Sequence, residues 1–160
     1  MNRNTGIFIS LLVIAVIVSG AGYFKYINQL ERAVTDLEIV FEGVDLKSLK
    51  LFPSPEANLT LTYVANNTHS IEFTLTLDGE LYYGSSLITP LTVRDNRIQA
   101  SGLSTIQMDV SITGSILDTI DPLEKNEYIL KGELVAKTHI FGFIPVEVSK
   151  PISEYQPSQN

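Results

Sequence analysis

The hydrophobic pattern of this chain changes period once, near residue 36. From Gly6 to Phe24 no side chain is charged, and Ile7 through Val18 is an almost unbroken run of Ile, Val and Leu. With Tyr23, Phe24 and Tyr26 at its edge, the segment reaches about 20 residues, the length a helix needs to cross a hydrocarbon core of roughly 30 Å. The aromatic residues suit an interfacial belt, and Lys25 can reach lipid head groups. Beyond it Ile27, Leu30 and Val34 keep helical spacing for two more turns, and Thr35-Asp36 ends them.

From Leu37 the period is two. Leu37, Ile39 and Phe41 alternate with Glu38, Val40 and Glu42, and Gly43 then shifts the phase, as a bulge or bend does. Leu59, Leu61, Tyr63 and Ala65 form a second alternating run, closed by a turn at Asn66-Asn67-Thr68-His69. Ile71, Phe73, Leu75 and Leu77 form a third; Asp78-Gly79 predicts a hairpin there, with Leu81 and Tyr83 on the return strand. Pro90 confines the segment Leu87 to Val93 to an edge or to irregular structure, and Arg94-Asp95-Asn96-Arg97 predicts another turn. Ile106, Met108, Val110 and Ile112 alternate without fault, and Tyr128, Leu130, Leu134, Ala136 and Ile140 resume after the acidic insert from Leu117 to Asn126. About seven strands with no crossover helix predict an all-β, antiparallel sandwich. The resulting organisation is a tail over 1–5, a transmembrane helix over 6–26, a helical stalk over 27–36, a β-sandwich over 37–150 and a flexible polar tail over 151–160.

Two other readings of the N-terminus stand beside a retained anchor. A signal peptide would be cut near Ser19-Gly20-Ala21. A pilin-type leader would be cut after Gly6, although Leu11 stands where mature pilins have an acidic residue. All three place the domain outside the cytoplasm. A single-pass membrane protein with an extracytoplasmic β-domain is the expectation. Its N-terminal tail is too short to be a domain.

The order of motifs resembles the late embryogenesis abundant type 2 family, also called the water-stress-and-hypersensitive-response domain. The motifs are Phe52-Pro53, Leu61-Thr62-Tyr63-Val64-Ala65-Asn66-Asn67, Leu81-Tyr82-Tyr83-Gly84, Ser104-Thr105-Ile106, Tyr128-Ile129-Leu130-Lys131-Gly132-Glu133 and Ile140-Phe141-Gly142-Phe143-Ile144-Pro145-Val146. Asn67 replaces the proline of the family's Asn-Pro-Asn. The resemblance implies an immunoglobulin- or fibronectin-like β-sandwich with one short helix, a membrane anchor, and a role in desiccation or stress tolerance or in membrane-associated interaction. It brings no catalytic residues.

Charge and chemistry narrow the partners. The chain has 160 residues, no Cys and a net charge of −7. Disulfides and thiolate metal sites are therefore excluded. Residues 1–36 sum to +1, so the domain itself is acidic and is repelled by phosphate backbones. Nucleic acid is not the expected partner; membrane lipids through the N-terminal helix are, with envelope proteins or an apolar ligand between the sheets as further candidates. The two histidines, His69 in a turn and His139 on an outward strand position, read as exposed imidazoles. No nucleophile-elbow motif accompanies them, and no enzyme is expected. Asp118, Asp121, Glu124 and Glu127 recur every three residues, but Pro122 breaks the register and no calcium-loop glycine is present; a solvated acidic loop is the expectation, with no metal and no cofactor. Asn58-Leu59-Thr60 and Asn66-Asn67-Thr68 are the candidate glycosylation sequons.

Overall fold

A computed structural model describes residues 3–117, 128–140 and 142–155; the side chains of residues 3–12, 14, 15, 17, 115 and 153–155 fall outside that description. The elements are α1 (Arg3–Thr35), β1 (Glu38–Lys50), β2 (Glu56–Asn67), β3 (Phe73–Tyr83), β4 (Ser86–Ile98), β5 (Gly102–Thr113), a 3-10 turn at Gly114–Ile116, β6 (Tyr128–Ile140) and β7 (Ile144–Tyr155). They form two antiparallel sheets, β1-β2-β5 and β4-β3-β6-β7. In the immunoglobulin constant sandwich the fourth strand joins the sheet of strands one, two and five; here β4 lies beside β3 instead.

Alternation accounts for the core. Leu59, Leu61 and Tyr63 of β2, Ile106, Met108 and Val110 of β5, Phe73, Leu75 and Leu77 of β3 and Leu130, Leu134 and Ala136 of β6 are all buried in one cluster. An aromatic chain links the sheets: the Phe41 ring lies 5.1 Å from Tyr63 and 6.1 Å from Tyr128, which in turn lies 5.4 Å from Tyr83. Such ring pairs contribute about 0.5–1.5 kcal/mol beyond the area they bury.

Three local expectations change. The hairpin is not at Asp78-Gly79: β3 runs through both residues, and the two-residue turn is Gly84-Ser85, where Gly84 has φ 57°. A Cβ on Gly79 would meet the Lys131 carbonyl and Gly132 Cα of β6, so this glycine serves close strand approach rather than a turn. Arg94-Asp95 is a bulge inside β4, not a turn; Leu75 pairs Asn96 and Leu77 pairs Val93, and Asp95 takes φ 56°. Pro151 does not end β7, which pairs with β6 as far as Tyr155. Pro151 on β7 and Pro90 on β4 both stand on edge strands, where a sheet tolerates proline. The bulge at Gly43 lies where the phase change predicts it, between Phe41 and Gly43.

Helix α1 runs in one piece into the domain. Its last turns bury Leu30, Ala33 and Val34 to 1% exposure or less, and Tyr26 and Ile27 pack against the same core. The helix contacts β6 and β7. Sheet β1-β2-β5 covers the Tyr128 end of those strands, as the Phe41–Tyr128 contact fixes. The buried Leu30, Ala33 and Val34 of the helix belong to one core cluster with Ile140 of β6 and Val146 of β7. Among the described residues no helix is long and apolar enough to cross a membrane; most of the apolar run up to Ile17 has side chains outside those residues.

Candidate functional site

The junction between α1 and the sandwich concentrates the specific contacts. Two helix-end groups are held by the domain. The Thr35 carbonyl accepts a hydrogen bond from Lys150 Nζ at 2.9 Å, satisfying one of the carbonyls a helix leaves open at its C-terminus. One residue on, Asp36 Oδ2 lies 2.8 Å from His69 Nε2, so the turn between β2 and β3 is tied to the helix exit. His69, its side chain still 31% exposed, is thus also a junction residue, a role no local sequence pattern announces. His139 is exposed on β6, at the outward position its alternation predicts.

Beneath that turn sits Asn67, buried to 1%. Its amide nitrogen donates to the Ile71 and Gln99 carbonyls at 2.8 and 2.9 Å, and its oxygen accepts from the His69 backbone N–H at 3.0 Å. All three polar capacities that reach protein are engaged, and the turn after β2 is clamped to the turn after β4. Ser104 adds to the clamp by accepting from the Gln99 N–H at 2.9 Å. Asn67 is a core residue rather than part of an exposed turn, and its inward parity, continuing Leu61, Tyr63 and Ala65, is the sequence signal for it.

The candidate glycosylation residues both lie on β2, the central strand of its sheet. Asn58 Nδ2 donates to Ser48 Oγ at 3.0 Å and Glu56 Oε1 at 3.2 Å. Asn66 pairs with Glu38 and Leu103 in the neighbouring strands. Around Asn58 the outer sheet face forms a shallow groove lined by Lys47, Asp109 and Ser111, and Thr60 donates to Asp109 across the ladder. This is the solvated polar face that alternation leaves outside. The acidic set Asp118, Asp121, Glu124 and Glu127 lies outside the described residues. Among those described, no three His, Asp or Glu side chains converge as metal ligands.

Large apolar side chains remain exposed at both ends of the sandwich. At the end remote from the helix are Leu49, Leu51 and Phe52, the last 86% exposed. At the helix end, in the turn between β6 and β7, Phe143 is 73% exposed.

No family model matches the chain, and no curated protein matches it. Among solved structures, it is similar to the solution structure of a "putative late embryogenesis abundant (LEA) protein", with 16% identity, 92% of this chain and 84% of that one covered, and a TM-score of 0.41.

Proposed function

We propose that this is a membrane-tethered, non-enzymatic β-sandwich protein of the late embryogenesis abundant type 2 kind, acting at the surface of the bilayer in desiccation or osmotic stress. The observation that carries the reading is one of continuity. The uncharged run Gly6–Phe24 belongs to the same helix whose Leu30, Ala33 and Val34 are core residues of the sandwich. A tether that ends inside a hydrophobic core holds its domain at a fixed distance and angle, whereas a flexible linker does not.

The order of the motifs supports the kinship. The strand ending in Asn66-Asn67 closes on the clamp built by Asn67, and Ile140 pairs with Ile144 where β6 gives way to β7. The acidic, Thr-rich outer faces support a role in binding water and polar surfaces rather than nucleic acid.

Two measurements test this. Alkaline carbonate washing of membranes should leave the full chain in the pellet and release a chain that starts at Tyr26; extraction of the full chain would contradict the tether. Vesicles bearing the full chain should hold a trapped dye through drying and rehydration better than bare vesicles. Equal leakage would contradict the protective role.

A further inference from the structure

We propose that the tip of the β6–β7 hairpin is a second membrane contact, with Phe143 seated in the interfacial layer of the same bilayer that α1 enters. The inference rests on the tethered reading above and adds an orientation to it.

Direction comes from the path of the chain. Back along the chain from Phe41, against Tyr128 at the start of β6, to Thr35, against Lys150 within β7, the path runs toward the β6–β7 turn, and α1, which contacts both strands, continues it. Level comes from a fixed point, the 2.9 Å bond from Lys150 Nζ to the Thr35 carbonyl. From Lys150 to Ile144 the six residues of strand span roughly 20 Å. The same distance along a helix is roughly 13 residues, from Thr35 to about Gly22. By this measure the hairpin tip is level with the last turn of the uncharged run, where Tyr23 and Phe24 are 36% and 69% exposed.

Chemistry then selects the occupant. Ile140-Phe141-Gly142-Phe143-Ile144-Pro145 contains no charge, and the turn is tight, with the Phe143 N–H donating to the Ile140 carbonyl at 3.3 Å and Gly142 at φ 78°. An aromatic side chain 73% exposed on this turn, at the level of a helix's aromatic edge, matches the interfacial belt, where such rings are favoured. The charged neighbours sit farther up the strands: Lys137 and Glu147 pair with each other at 3.2 Å. With two points of contact, the domain would stand on the membrane in one orientation, its Phe52 end directed away.

The chain has no Trp, so single Trp substitutions report position directly. Full-length Phe143→Trp, Tyr23→Trp and Phe52→Trp are each reconstituted into phosphatidylcholine vesicles, and into matched vesicles whose lipids are brominated near the head group. The expected result is blue-shifted emission and loss of intensity in brominated vesicles for Tyr23→Trp and Phe143→Trp. Phe52→Trp should keep red emission that iodide quenches. If Tyr23→Trp is quenched by bromine while Phe143→Trp emits as in water, the hairpin contact is wrong and the tether stands. If neither is quenched, both readings fall. Equal bromine quenching of Phe52→Trp and Phe143→Trp would mean the domain lies flat, which also overturns the proposal.

Discussion

Gly79 of β3 and Gly132 of β6 face each other across the ladder, and a Cβ on either would run into the backbone of the opposite strand. A methyl group on Gly132 would collide with the Asp78 carbonyl and Gly79 Cα, and one on Gly79 with the Lys131 carbonyl and Gly132 Cα. These neighbours are backbone, so neither collision can be relieved by rotating a side chain.

Replacing either glycine with Ala should therefore destabilise the domain. Overpacking of this kind costs about 1–3 kcal/mol. Gly79→Ala and Gly132→Ala should each lower the denaturation midpoint, and the double variant should lose less than the two singles added, because one separation of the strands relieves both collisions. Additive losses would mean the two sites do not share a cause.

Asn67 should be the most sensitive polar residue in the domain. Asn67→Ala leaves the Ile71 and Gln99 carbonyls without their donor, and each buried group so stranded costs about 1–3 kcal/mol. Asn67→Asp has a further signature. Its carboxyl can donate only when protonated, so folding raises its pKa above the unfolded value. The stabilisation is present at acid pH and is lost as pH rises through the folded pKa. Denaturant unfolding of Asn67→Asp should give a higher midpoint at pH 4 than at pH 7, judged against the wild-type chain.

Tyr82 donates to Glu80 Oε2 at 2.7 Å, and this bond, with the adjacent carboxylate's charge, holds the phenol above its ordinary value of 10.0. A raised pKa means that any stabilisation is intact below pH 10 and disappears as the native phenol ionises. The ring sits on the outer face of β3, with Lys131 Nζ 5.0 Å from its centroid, so the effect belongs in a titration rather than a melting curve. The difference in tyrosinate absorbance between the wild-type chain and Tyr82→Phe should show a midpoint above that of free tyrosine, and Glu80→Gln should bring it down. An unchanged midpoint in Glu80→Gln would discount the bond.

The helix clamp makes a smaller claim. Lys150→Met removes the donor to the Thr35 carbonyl, an exposed interaction at a helix C-terminus of the kind that contributes roughly 0.3–1 kcal/mol. A small drop in melting temperature is expected, and hydrogen exchange should quicken at the last turn of α1 before it quickens in the strands.

Much of the fold was legible because alternation is a strong signal wherever one face of a strand is buried. The residues around Asp78-Gly79 themselves argue against a turn there. A two-residue turn there would pair Leu77 with Glu80 on one face and turn Glu80 and Tyr82 inward. Yet Phe73, Leu75, Leu77 and Leu81 share one parity and are all buried, as a continuous strand requires. Turn propensity is local, and the need for two glycines at Gly79 and Gly132 arises from strands 53 residues apart in sequence. Pairings of that kind, including His69 with Asp36 and Lys150 with Thr35, leave no local pattern. The docking of α1 was half legible. Leu30 and Val34 announced an apolar helical stripe, but nothing in their spacing distinguishes a face turned toward lipid or a stalk partner from one turned into a β-sandwich.

That docking is the point on which the tether and its orientation both depend. The most direct test is the unfolding of the full chain in mild detergent with Leu30→Ala, compared with Gln29→Ala at the exposed neighbouring position. A buried Leu truncated to Ala costs about 2–5 kcal/mol, so Leu30→Ala should shift the β-sheet transition strongly while Gln29→Ala leaves it in place. Coincident transitions for the two variants and the wild-type chain would mean that the helix ends outside the core, and the fixed tether would be contradicted.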